Sequence, residues 1–264
     1  MSYMQWHRHE IRFLNFKTHI IMKKVSLMFT MLLTVLITAL VITSCSSDDE
    51  EENKESVQQI FLICPDNNHP HMIDLGLPSG TKWACCNVGA SSPEKAGGYY
   101  AWGETEEKDF YYESNYRFVK GKDNDGDGQI DEGLEIIDIG DNIAGTPYDV
   151  ANVQWGIKWQ MPTEEQFWEL WSRCKKNKIK TNSIDCMEFI GSNGGRIIIP
   201  LVGVKSGLEF QNSGIGCYWT SDALRGFNSE IILNAKSVIF SVESLMIMES
   251  GKTSDGLPIR AISN

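Results

Sequence analysis

The sequence predicts an α+β domain with about two helices and many short antiparallel strands, preceded by a secretion signal and a polar tether. Three observations lead there. Residues 155–171 (WGIKWQMPTEEQFWELW) hold a capped, one-sided helix, and residues 147–155 read as a shorter helix just before it. The C-terminal third breaks into apolar runs at 186–190, 195–204, 217–221, 229–233 and 236–242, separated by Gly, Asn and Ser. Residues 257–262 close the chain, and no internal repeat is visible.

The main helix is the best-marked element. Thr163 stands at an N-cap position just after Pro162, and Gln166 follows three residues later, the spacing of a capping box. Phe167, Leu170, Trp171 and Cys174 recur on one stripe of a 3.6-residue period, with Trp168 one step off it. Lys175, Lys176 and Lys178 follow where cations complement a helix C-terminus. A face of Phe, Leu and Trp must be covered, so a core is expected to form around it.

The chain begins with segments that are not domain. Residues 1–21 have no clear period and hold three of the five histidines; they read as an over-long gene start. From Met22, Lys23 and Lys24 precede an apolar run at 25–42, and Ile42-Thr43-Ser44-Cys45 resembles a bacterial lipobox. Residues 22–44 are therefore expected to be a lipoprotein signal peptide, with Cys45 the lipidated residue. The competing reading is an uncleaved membrane anchor, for which the run is nearly long enough. Residues 45–69 follow as tether and linker, opening with SSDDEEENKE, too polar to fold. Serine-plus-acid runs after a lipid cysteine resemble surface-export signals in the Bacteroides group, so an outer-membrane lipoprotein facing the cell surface is expected.

Residues 1–44 hold five of the 24 Lys and Arg and one of the 35 Asp and Glu. That leaves 19 against 34, a net of −15, which repels nucleic acid and anionic lipid alike, so neither is an expected partner and the membrane contact expected is the lipid anchor on Cys45. Cys64, Cys85, Cys86, Cys174, Cys186 and Cys217 remain. An oxidising compartment permits disulfides among them; otherwise they are small core residues. No C-x-x-C occurs, which removes the usual zinc-knuckle signature.

Along the domain, 57–64 reads as a short strand and 65–71 (PDNNHPH) as loop. Strands follow at 72–75 and 81–88, joined by a turn at Leu77-Pro78-Ser79-Gly80. Residues 109–119 are aromatic-rich strand or ordered loop, and GSNGG at 191–195 is a hairpin turn. Of the tryptophans from Trp83 onward most should be core.

Residues 123–131 (DNDGDGQID) carry the sharpest chemical signal within an insertion at 123–135. Calcium takes six to eight oxygens, and acids at alternate positions wrap one ion. Asp123, Asp125, Asp127 and Asp131 are the expected carboxylate ligands, with a backbone carbonyl from Gln129. Leu134 stands where the bidentate glutamate belongs, leaving Glu132 or Glu135 to substitute. The flanks are not helical, so a structural extracellular calcium loop is expected; the plainer alternative is an acidic insertion without metal. Tyr111, Tyr112 and Tyr116 beside it are the candidate sugar-stacking or partner surface.

No catalytic constellation stands out, so an enzyme is not expected. His69 and His71 are the histidines left after processing, and they read as a solvated linker pair. Paired carboxylates for a glycan hydrolase stay open, since separation is invisible in a sequence. No phosphate-cradling glycine motif appears. Arg260 reads as a paired structural arginine.

Several segments together resemble the Fibrobacter succinogenes major paralogous domain, a family of bacterial surface lipoproteins. They are DLGLPSGTKWA at 74–84, YYAWGET at 99–105, IAGTPYDVANVQWGIKWQMPTEEQFWEL at 143–170, YWTSD at 218–222 and LPIRAIS at 257–263, where Ala261 replaces a usual proline. The resemblance spans nearly all of 70–264. It implies a fold similar to C-type-lectin-like domains and to the formylglycine-generating enzyme, with a loop-rich ligand face. That enzyme's activity does not carry over, because it needs a late cysteine pair and Cys217 stands alone. The function expected is a lipid-anchored binding or structural module contacting glycan or protein. The alternatives are an extracellular glycan hydrolase and a structural adhesin or surface-layer subunit.

Overall fold

The computed structural model describes residues 64, 66–211, 214–225, 234–241 and 245–263. The signal peptide, Cys45, most of the tether and the strands expected at 57–64 and 229–233 lie outside these, Cys64 excepted. Among the described residues no helix is long and apolar enough to cross a membrane.

Among the described residues the architecture is α+β, with two α-helices and small antiparallel sheets. The helices are α1 (Val150–Trp155) and α2 (Glu164–Arg173). Strands β1 (Met72–Asp74) and β2 (Lys82–Ala84) pair with the closing strand β13 (Ile262–Ser263), so β2 lies between the two ends of the domain. The helices lead into a three-stranded sheet of β5 (Lys175–Thr181), β6 (Ile184–Ile190) and β7 (Arg196–Pro200). A second is β10 (Gly216–Leu224), β11 (Asn234–Phe240) and β12 (Leu245–Lys252). Two hairpins stand apart: β3 (Val119–Lys122) with β4 (Glu132–Ile136), and β8 (Val204–Ser206) with β9 (Glu209–Gln211).

Helix α2 starts where the sequence says it should. The Thr163 side chain accepts from the Gln166 amide at 3.3 Å, and Gln166 Oε1 accepts from the Thr163 amide at 2.9 Å. Two otherwise unmade donors are thereby satisfied, worth about 1 kcal/mol for the cap alone. Phe167 and Leu170 are buried, Trp171 half-buried, and Trp168 is 53% exposed, as its position off the stripe requires. Phe167 packs on Trp83 of β2 with ring centroids 5.0 Å apart. Trp171 meets Phe189 of β6 and Phe240 of β11, so one helix face seals against all three of the larger sheets. Tyr218 and Phe240 stack beneath it at 5.5 Å.

The lysines after the helix behave differently from the expectation. The chain turns at Cys174 directly into β5, whose first residue is Lys175, and pairs in register with β6 from Lys175↔Ile190 to Thr181↔Ile184. Lys176 still serves the helix end, its Nζ donating to the Trp171 carbonyl at 2.5 Å and to Cys174 at 3.3 Å. Residues 191–195 form the β6–β7 turn as expected.

Helix α1 is held by Asp149, fully buried. Its carboxylate accepts four backbone N–H groups, from Gly145, Ala151, Asn152 and Met161, at 2.8 to 3.2 Å. One side chain thus caps α1 and binds the start of the α2 approach to the loop before α1. Arg260 is also fully buried. It donates to the Asn87 side chain at 2.8 Å and to the carbonyls of Ala84 and Pro93, so neutral oxygens carry the partnering expected of it.

Candidate ligand-binding cleft and cation loop

The acidic segment is the connection of the β3–β4 hairpin. Its carboxylates fold back on its own amides: Asp123 accepts from Gly126 and Gly128, Asp125 from Asp127, Asp127 from Gln129, and Asp131 from Asn124, at 2.7 to 3.1 Å. This curls the loop until Asp123, Asp125 and Asp131 each bring one oxygen within 4.8 Å of the others. Those are the first, third and ninth positions of the expected ligand set. Asp127 and Glu132 lie outside this converging group. Glu132 stands in β4 opposite Lys122, and Glu135 pairs with Lys120 at 3.4 Å; neither joins the converging group. Ile130 lies across Gly121 within the hairpin.

The tyrosines divide. Tyr111 is 2% and Tyr116 4% exposed, which removes both from the ligand surface expected of them. The reason is polar as much as apolar. Tyr111 donates its hydroxyl to the Tyr99 carbonyl, and Tyr116 donates to the Trp102 carbonyl at 2.7 Å. Lys108 sits over both rings and pairs with Glu104 at 2.9 Å. Burial raises both phenols, that of Tyr111 to about 12, so they stay neutral donors.

Tyr112 is half-buried. Its ring is wedged between two glycines: a Cβ on Gly128 would come within 2.3 Å of it, and one on Gly207 within 3.0 Å. Gly128 belongs to the acidic loop and has φ +92°, so no other residue fits there on either count. Gly207 is the turn of the β8–β9 hairpin, and its backbone exchanges two hydrogen bonds with Tyr111 at 2.8 and 2.9 Å.

A cleft of about 350 Å³ opens at this junction. Tyr112 and Gln129 line the loop side, Leu208 and Glu209 the hairpin side, and Lys252, Ser254 and Asp255 the floor from the end of β12 onward. Leu208 is 76% exposed and Phe210 53%; Phe110, 43% exposed, packs on Tyr112 with ring centroids 5.9 Å apart. Of these, Leu208 lines the cleft, Phe110 adjoins it through Tyr112, and Phe210 packs on Tyr99; none of the three was singled out in the sequence. Asp255 is drawn above the ordinary carboxylate range by burial, opposed by a Ser206 hydrogen bond and the charge of Lys252. Glu113 and Glu209 share the cleft with it.

The second polar cluster was not expected. His69 and His71, read as solvated, face Cys64 and Cys85. The six cysteines are free thiols, buried in the structure. The Cys85 thiol is held well below its ordinary value by a hydrogen bond from Cys86, against burial, and by the His71 amide and both imidazoles. Burial pushes the Cys64 thiol up, with the charge of Cys85 adding to it.

No family model, curated protein or solved structure matches the chain.

Proposed function

We propose that the chain is a lipid-anchored binding module of the bacterial outer membrane, with a C-type-lectin-like fold, in which calcium held by the acidic hairpin orders a cleft for glycan or protein. The observation that carries this reading is Tyr112: one ring touches both the glycine of the cation loop and the glycine of the cleft hairpin. An ion that fixes residues 123–131 therefore also fixes a wall of the cleft. Asp123, Asp125 and Asp131 supply the charged ligands, and the loop is exposed enough to fill from calcium outside the cell. Phe110, exposed and packed on Tyr112, and Leu208 at the cleft give apolar surfaces of the kind that stack on sugar rings or seat a protein side chain.

The test is a glycan array probed with the full chain in detergent, with calcium and with chelator. The expected result is a calcium-dependent signal that Tyr112→Ala removes. A signal indifferent to both chelator and Tyr112→Ala, or none on any glycan, would overturn the glycan reading. The anchor is tested separately: Cys45→Ser should move the protein from the detergent phase to the aqueous phase, and unchanged partitioning would place the anchor elsewhere.

Asp255 favours a second reading, a glycan hydrolase. A carboxyl whose proton is held more tightly through burial, in a cleft shared with Glu113 and Glu209, is the environment in which a general acid is tuned. Sugar release that Asp255→Asn abolishes would establish it. The third reading, a surface-layer subunit, predicts a broad apolar patch instead of a cleft.

A further inference from the structure

We infer that Cys64, His69, His71 and Cys85 form a closed zinc site that fastens the tether to the domain. The inference is independent of the cleft and its calcium. The four donor atoms lie within 4.8 Å of one another. Cys64 Sγ stands 3.1 Å from His69 Nδ1 and 3.2 Å from His71 Nδ1. Cys85 Sγ stands 3.3 and 3.6 Å from the same two nitrogens. A tetrahedral zinc with bonds of about 2.3 Å to sulfur and about 2.0–2.1 Å to nitrogen puts neighbouring sulfur and nitrogen ligands about 3.5 Å apart. All four sulfur–nitrogen edges fall near that length.

The surroundings are those of a metal site. His71 presents Nδ1 to the sulfurs and places Nε2 3.0 Å from the Asp66 carboxylate. That bond takes the ring proton on Nε2 and leaves the Nδ1 lone pair facing inward, the carboxylate–histidine arrangement that orients zinc ligands. The His71 amide donates to Cys85 Sγ at 3.1 Å, a bond that steadies a thiolate. Two soft sulfurs and two imidazoles select zinc over calcium or magnesium. In the zinc-bound site both sulfurs are thiolates, the proton of Cys64 leaving to solvent, and the two negative charges balance the ion's charge.

Position gives the site its consequence. Cys64, His69 and His71 lie before β1, at the end of the tether, while Cys85 directly follows β2, the strand paired with both ends of the domain. Four protein ligands leave no open position, so the role is structural. The ion fixes where the membrane tether enters the globule.

The test is metal analysis of the full chain purified in detergent with thiols kept reduced, followed by cobalt substitution. One equivalent of zinc is expected, and cobalt should give the strong visible absorption of a tetrahedral site plus a thiolate charge-transfer band. Cys64→Ser and His69→Gln, both before the first strand, should lower metal affinity at least tenfold while the circular dichroism of the domain is retained; Cys174→Ser should change nothing. Asp66→Asn should weaken binding by about 10-fold to 100-fold, the usual effect of losing an outer-shell partner. Sub-stoichiometric zinc that Cys64→Ser does not alter, a cobalt spectrum lacking thiolate bands, or a disulfide joining Cys64 to Cys85 in protein taken directly from cells would each overturn the inference.

Discussion

The side of the molecule around α2 and the side around the cleft are built by opposite means. Under α2, aromatic rings from one helix and three sheets interlock: Phe167 on Trp83, Trp171 on Phe189 and Phe240, Tyr218 on Phe240. At the cleft, loops and two small hairpins are held by tyrosine hydroxyls on carbonyls, a lysine between rings, and glycines that let Tyr112 in. The first arrangement resists change everywhere at once, because interiors are close-packed. The second concentrates its order in a few polar contacts, so an ion or ligand can add to it. Stability should therefore reside on one side and responsiveness on the other.

The largest effect expected from this contrast is on the packed side. Phe167→Ala should lower unfolding stability by about 3–5 kcal/mol, the cost of emptying a buried phenylalanine site, while calcium affinity stays unchanged. Urea unfolding and calcium calorimetry on the same variant check both halves. A loss of stability below about 1 kcal/mol would mean that the face under α2 is not the main core.

A smaller, opposite effect is expected on the cleft side. Burial holds the Asp255 carboxyl above the ordinary range in the folded chain. A raised folded value means that the native state binds the proton more tightly than the unfolded chain. Its contribution is then fully present below the ordinary carboxylate value and is lost as pH rises through the folded one. Asp255→Asn should accordingly raise stability at neutral pH slightly and flatten its dependence across the mildly acidic range. Melting temperatures taken across that range check the sign; a variant that is less stable at neutral pH than the natural chain would show that the charged carboxylate is well solvated or paired.

What could be read in advance follows the same division. The cap at Thr163, the Phe167–Leu170 stripe and the 191–195 turn depend on residues a few positions apart, so their chemistry lies open in the chain. The acidic loop was legible for that reason also. Its missing members were not: Glu132 stands opposite Lys122 and Glu135 pairs with Lys120, an outcome set across the hairpin. Strand β5 was missed because KKNKIKT has no apolar alternation of its own, and its pairing with β6 decides it. Tyr111 and Tyr116 looked like surface because their carbonyl partners at Tyr99 and Trp102 are more than ten residues away. His69 and His71 looked solvated for the same reason, since Cys85 reaches them from the far side of the first hairpin. The signal available was a cysteine, two histidines and a further cysteine before position 86, which a search confined to C-x-x-C passes over.

The proposed function requires the cation loop and the cleft to move as one mechanical unit joined at Tyr112. Amide hydrogen exchange of the full chain, with calcium and with chelator, tests it most directly. Exchange at Gly128, Tyr112 and Gly207 should slow together when calcium is added, while the amides of α2 hold their rates. Slowing confined to residues 123–131, with Tyr112 and Gly207 unmoved, would contradict it.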